Sequence, residues 1–418
     1  MSCKPRWLVW AAIVCCVPPV CRAQGTPQEW SEPELIERFL TSSPQARELL
    51  ARVALTEADV RTRAVYPNPS VSYSREGAGY NEFFEASQTL PVSGRIRYLR
   101  DATAAAVSAA GASRESSLWF LRSDLRIAFY RMVASQERVR LLSNNAGEIE
   151  QLIRILRQRE EEGEGSRYDR LRGERELTEL RTDLTAAQSL VAAAGARLAG
   201  YLPEGDQVRQ VRGELSVPPD ALDLEELIRR AMNGRPDYRA EQRNLARYRI
   251  EEKAASRLRI PEPQVIAGVK RADVIYGLPP NPFSNVTRTG LAISVNVPLP
   301  VFNNGRYEVA RYQAEQQQAS ARLAVVARQI RTEVEAAREV LAMRRDALTA
   351  YQRELESGGS ELTRITQAAY QEGEIGILEL LDSLRVNRTA ALRLLDLRAG
   401  VKEAFIELER AVGEEVRP

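Results

Sequence analysis

Apolar residues recur along this chain with two different periods. From Leu118 the series Leu121, Leu125, Ala128, Met132, Ser135, Val139, Leu142, Ala146, Ile149, Ile153 and Leu156 steps by three and four without a miss, which is a heptad seam. A second line, Phe120, Ile127, Ala134, Leu141 and Ile155, follows at seven-residue spacing and is interrupted only by Glu148. Two seams on one helix predict a neighbour on each side. The pattern returns in Leu177, Leu180, Leu184, Ala187, Val191, Ala194 and Leu198. It returns again in Leu380, Leu384, Ala391, Leu394, Val401, Phe405, Leu408 and Val412, where Asn387 and Arg398 occupy seam positions. For any single helix a core stripe of a bundle accounts for such a pattern. It does not account for length: a helix from about Ile96 to Glu161 reaches roughly 95 to 100 Å at ~1.5 Å per residue.

The second period is two. Val71 and Tyr73 alternate with Ser70, Ser72 and Ser74, and Leu291, Ile293, Val295 and Val297 alternate with Ala292, Ser294 and Asn296. Val265, Ala267 and Val269 give a third alternation, and Phe84, Ala86 and Leu90 a fourth. Strands are predicted near 70–76, 83–90, 264–271 and 290–297, each close to the ~9 to 11 residues that a tilted strand needs to cross a bilayer. Four strands cannot close a transmembrane barrel, because the smallest have about 8. Membrane-spanning strands here require several chains to share one barrel.

Proline and glycine punctuate these segments twice in the same order, an internal two-fold repeat. Leu35-Ile36 with Pro44 reappears as Leu227-Ile228 with Pro236, and Pro67-Asn68-Pro69 as Pro261-Glu262-Pro263. Gly94-Arg95 matches Gly305-Arg306 before each long helix, and Glu162-Gly163-Glu164 matches Glu372-Gly373-Glu374 after it. The expected organisation is a leader at 1–23, a first repeat at 24–205, a linker at 206–222, a second repeat at 223–413 and a tail at 414–418.

Composition narrows the function. Lys4 and Arg6 precede an apolar run from Trp7 to Val20, and Ala23 supplies the small residue at which a signal peptide is cut. A rival reading makes Cys21 a lipid anchor. The 418 residues contain no histidine, which excludes Ser-His-Asp catalysis and His-ligated zinc. All four cysteines, Cys3, Cys15, Cys16 and Cys21, sit in the leader, so the mature chain carries no thiol chemistry. With Lys+Arg 59 against Asp+Glu 57, a net charge of +2 offers no field for nucleic acid. Met132, Met232 and Met343 are scattered, so no soft metal site is visible, and no Gly-rich Lys-Ser/Thr loop suggests a nucleotide. No catalytic, cofactor or metal residue is assigned, and the chain is not expected to be an enzyme. Asp169 and Asp382 could pair as hydrolytic carboxylates, but heptad seams make no sugar-sized cleft for them.

Taken together, the proline-bounded strand entries, the exits Leu90-Pro91 and Val297-Pro298-Leu299-Pro300, the Gly-Arg helix starts and the run Ala369-Tyr370-Gln371-Glu372-Gly373 with Leu380-Leu381-Asp382 resemble the TolC-like outer-membrane efflux proteins over essentially the whole mature chain. The Thr-Leu-Pro-Val-Ser-Gly-Arg run from Thr89 leans toward the heavy-metal branch of tripartite pumps. The resemblance implies a mainly α fold with a small β part, in which a homotrimer closes a 12-stranded barrel in the outer membrane above a coiled-coil α-helical barrel in the periplasm. It implies conduction from a proton-driven inner-membrane pump and a periplasmic adaptor, with outer-membrane lipid as a further partner and no cofactor. It places adaptor docking at the tips, Gly163, Gly165, Gly373 and Gly376, and aperture carboxylates at Asp169, Glu379 and Asp382. Ile375 stands where some relatives carry a basic tip residue. A type I protein secretion duct uses the same outer component, and a soluble periplasmic coiled-coil scaffold would leave the alternating strands unexplained.

Overall fold

A computed structural model describes residues 29–76, 81–216, 223–276 and 284–416. The expected leader, including Cys21 and the cut after Ala23, lies outside the described residues. The first half runs β1 (Glu29–Ser31), α1 (Glu32–Ser42), α2 (Pro44–Thr62), β2 (Ser70–Glu76), β3 (Asn81–Thr89), α3 (Arg95–Glu161) and α4 (Arg167–Ala199). After β4 (Gln210–Arg212), the second half runs α5 (Leu224–Gly234), α6 (Pro236–Ser256), β5 (Gln264–Tyr276), β6 (Ser284–Asn296), α7 (Arg306–Gln371) and α8 (Ile377–Val412). The order helix, helix, strand, strand, long helix, return helix thus occurs twice.

The long helices begin in the same manner. Gly94 and Gly305 take left-handed backbone at φ 69° and 79°, a conformation that glycine reaches without steric cost, and turn the chain from strand exit into helix. Ser93 fixes the first of these turns, since its Oγ accepts from the Arg95 N–H at 3.2 Å and donates to Glu262 at 2.7 Å. At 67 and 66 residues, α3 and α7 extend about 100 Å. No helix among the described residues is long and apolar enough to cross a membrane.

Burial follows the heptads. Leu125, Ala128, Met132, Leu142, Ala146, Ile149, Ile153 and Leu156 of the α3 seam are buried, as are Leu177, Leu180, Ala187 and Leu198 of α4. Part-way along α3, Trp30, Leu35 and Phe39 join Leu125, Phe129 and Met132 in one core. The counterpart in the second half packs Leu227, Ile228 and Ala231 of α5 against Ile330, Val334 and Leu341 of α7 and Val401 and Leu408 of α8. Within the segment expected as a linker, β4 pairs in parallel with β1 (Trp30 opposite Val211), and the Trp30 indole N–H donates to the Gln207 carbonyl at 3.3 Å.

The sheet is antiparallel in the order β2-β3-β5-β6, and neither β2 nor β6 has a strand on its outer side among the described residues. The pairs Tyr73↔Phe84, Phe84↔Val269 and Val269↔Leu291 put one apolar row across all four strands. The next row, Val71, Ala86, Ala267 and Ile293, lies on the same face because side chains alternate. The opposite face carries Ser70, Ser72, Ser74, Ser87, Ser294 and Asn296. Strands β5 and β6 run further than the alternation indicates, since their ladder continues through Arg271↔Thr289 to Tyr276↔Ser284. Gly268 sits where β3 and β5 come closest: a Cβ there would lie 2.3 Å from the Phe84 carbonyl oxygen and 2.8 Å from the Glu85 Cα.

Candidate functional site

Two regions carry unusual chemistry for a protein built of heptads: the hairpin tips far from the sheet, and the sheet's own apolar face. At the first tip α3 ends in a Schellman turn, with the Gly163 N–H donating to the Glu160 carbonyl and the Glu164 N–H to the Arg159 carbonyl at 2.9 Å. At the second, Gly373 donates to Tyr370 and Glu374 to Ala369 at 2.8 Å, so the two tips share one geometry. Gly163 and Gly373 need their left-handed φ of 80° and 78°, and a side chain on either would meet nothing within 4 Å. Both are exposed. Gly165 differs, because a Cβ there would lie 2.9 Å from the Arg159 Cβ and the Glu160 nitrogen. Its smallness closes the turn. Gly376 has extended backbone, and the carboxylate of Glu379 folds back over it.

The candidate carboxylates fall early in the return helices, Asp169 and Glu379 in the first turn and Asp382 in the second. Glu379 and Asp382 of α8 are exposed, and Asp169 of α4 is half-buried. Asp169 faces Tyr370 at the end of α7. Burial raises the pKa of that phenol, the charge of Arg159 opposes the rise, and the charge of Asp169 adds to it. The Arg159 guanidinium lies over the same ring at 5.8 Å. One tyrosine thus gathers α3, α4 and α7.

A stronger tie lies a little further up the hairpins. Glu176 of α4 is only 7% exposed, and its Oε2 accepts from Arg385 at 2.5 Å while its Oε1 accepts from both terminal nitrogens of Arg388 at 3.2 and 3.3 Å. Burial works against this carboxylate, but the bonds and charge of Arg385, and then of Arg388, outweigh it and hold its pKa below the ordinary 4.5. Around the tie, Ile377, Leu380 and Leu381 of α8 are buried with Leu142, Ile149 and Ile153 of α3 and Leu177 and Leu180 of α4. Near the tips the second hairpin therefore leans on the first through an apolar patch and one two-armed ion pair, and further up Arg131–Glu403 and Arg138–Asp396 also bridge α3 and α8. Neither Glu176 nor its arginines stand out in a sequence whose helices are dense in charge.

No group of side chains that could hold a metal ion occurs among the described residues.

The model of the outer membrane efflux protein family matches residues 227–414. This stretch, a little under half of the chain, is similar to that family. Solved structures share the fold over nearly the full chain. CusC is 19% identical with a TM-score of 0.70, covering 92% of each chain. The Campylobacter jejuni CmeC outer membrane channel is 14% identical with a TM-score of 0.69, covering 93% of this chain and 87% of its own. The open state of the Neisseria gonorrhoeae MtrE outer membrane channel is 19% identical with a TM-score of 0.67, covering 92% and 89%. No curated protein matches the chain by sequence. The matched family is one of efflux proteins, and the CmeC and MtrE neighbours are outer membrane channels by name.

Proposed function

We propose that three copies of this chain form the outer-membrane channel of a tripartite efflux system, conducting metal ions or small toxic compounds from an inner-membrane pump and its periplasmic adaptor to the outside. The observation that carries this reading is the sheet. It has one apolar exposed face, one serine-rich face and two open edges, and it is continuous with helices far longer than a globular domain needs. Four strands leave the edges of β2 and β6 unpaired. Joining β6 of one copy to β2 of the next closes a twelve-stranded barrel with lipid outside and water within.

The α3–α4 and α7–α8 hairpins would then alternate around a periplasmic duct, the first repeat 24–205 and the second 223–413 each supplying one. Asp169, Glu379 and Asp382, repeated by the threefold axis, become rings of like charge that attract cations and repel one another. Gly163 and Gly373 present bare backbone at the ends of the duct and are the docking points for the adaptor. Gly165 and Gly376 shape those turns. Detergent-extracted protein should be trimeric and should raise the conductance of a planar bilayer; a monomer soluble without detergent would sink the proposal. Gly373→Trp should abolish efflux in a reconstituted tripartite system while trimer and conductance persist, and unchanged efflux would remove the docking role.

A further inference from the structure

Exposed apolar residues do not stop where the ladder stops. They continue below β6 at Val297, Leu299 and Val301, below β3 at Leu90 and Val92, and ahead of β2 at Val65. They end on Phe302, which is 97% exposed. A concentration of exposed apolar side chains at one end of the sheet marks a surface that meets something other than water.

At the same level the chain turns to arginine. Arg97, Arg100, Arg259 and Arg306 are exposed, and Arg97 and Arg259 have no ion-pair partner among the described residues. In the segments that form this junction, 90–101, 257–263 and 297–307, the acidic residues are Asp101 and Glu262, and Glu262 is engaged by Ser93. The positive ends of the two longest helices, at Gly94 and Gly305, lie here as well and add to the potential. Three arginines rest on tyrosines: Arg100 on Tyr66 at 5.3 Å, Arg257 on Tyr98 at 5.1 Å and Arg306 on Tyr307 at 4.6 Å. Rings with one apolar body and one polar tip, beside guanidinium groups that match a phosphate in two bonds, are the composition of a membrane–water boundary.

We infer that the junction of sheet and helices is a phospholipid collar: Arg97, Arg100, Arg259 and Arg306 take the headgroup phosphates of anionic phospholipids, while Val301 and Phe302 enter the acyl layer. The inference rests on the reading of the sheet as membrane-spanning. Its charge complementarity singles out anionic over zwitterionic lipid.

The test reconstitutes the full-length chain in vesicles of phosphatidylcholine, with and without phosphatidylglycerol, and measures by native mass spectrometry which lipid stays bound to the released protein. The expected result is retention of phosphatidylglycerol over phosphatidylcholine by about tenfold or more. Replacing the four arginines together by glutamine should bring the two lipids to parity while insertion and conductance persist. Lysine at the same positions should restore most of the preference, which a folding defect would not allow. Insertion without a lipid preference, or a preference that survives the glutamine variant, overturns the collar alone. Failure of the unmodified chain to insert in either vesicle overturns the collar together with the membrane-spanning reading beneath it.

Discussion

Glu176→Gln is a direct probe of how the two hairpins are held together near their tips. The substitution keeps size and shape but removes the charge that Arg385 and Arg388 share. Arg385 is about half exposed and regains water when released, so its bond contributes only ~0–1 kcal/mol. Arg388 is 14% exposed and recovers less, so its charge-assisted bonds to a buried carboxylate are worth about 1.5 to 3 kcal/mol. A sum of about 1.5 to 4 kcal/mol shifts the balance between joined and parted hairpins by roughly 10- to 900-fold. Hydrogen–deuterium exchange of the folded protein should therefore report faster exchange in α4 around Glu176 and in α8 around Arg388, with the sheet unchanged. Acid supplies an independent readout. The Glu176 pKa is depressed in the folded protein, so the stabilisation is complete above about 4.5 and is lost as pH falls through the lower folded value. Wild-type exchange in these turns should rise in that acid range, and Glu176→Gln should be flat across it. Unchanged protection in the variant at neutral pH, or the same acid response in both proteins, would refute the assignment.

Other perturbations test other levels of the structure. Gly268→Ala drives a Cβ into the backbone of β3, so the β3–β5 ladder must shift and the proposed trimer should largely disappear from unheated gels. Arg126→Met strands two carboxylates, because Arg126 is the shared partner of Glu32 and of Glu409, which it meets at 2.6 Å. Breaking a buried ionic cluster on one side costs about 3 to 5 kcal/mol, to be read as a lowered Tm. Burial already pushes the Glu409 carboxyl pKa up against the pull of Arg126, so without the arginine the loss should be smaller in acid, where Glu409 becomes neutral.

The parts of the fold legible in the sequence are those set by local rules. The start of α3 was expected at Ile96 and falls at Arg95, because the Gly94 turn and the heptad phase are written within a few residues. The four strands were legible where exposed apolar and polar residues alternate. Beyond Arg271 and before Leu291 the alternation fades while backbone pairing continues, so β5 and β6 are longer than their pattern. β4 carries no signal of its own, since three residues become a strand only because β1, far away in the chain, lies alongside. The tip glycines were legible as turns, but the difference between Gly163, which faces open space, and Gly165, which closes on Arg159, needs the packed hairpin. Glu176, Arg385, Arg388 and Tyr370 were not singled out as a site. In a chain with 28% charged residues, one more glutamate on a helix announces nothing until the facing helix is known.

The near-equal lengths of α3 and α7, 67 and 66 residues, bear on how such a protein can change over time. Both helices start from the same side of one sheet, so residue count acts as a ruler that sets the depth of each tip. Seven residues added to each arm of one hairpin alone would leave every heptad in phase and yet carry that tip about 10 Å past the other. A partner that must grip both kinds of tip in one plane would lose half its contacts. The two halves are thus free to diverge in nearly every side chain, while insertions and deletions in the arms are tolerated only when made in both.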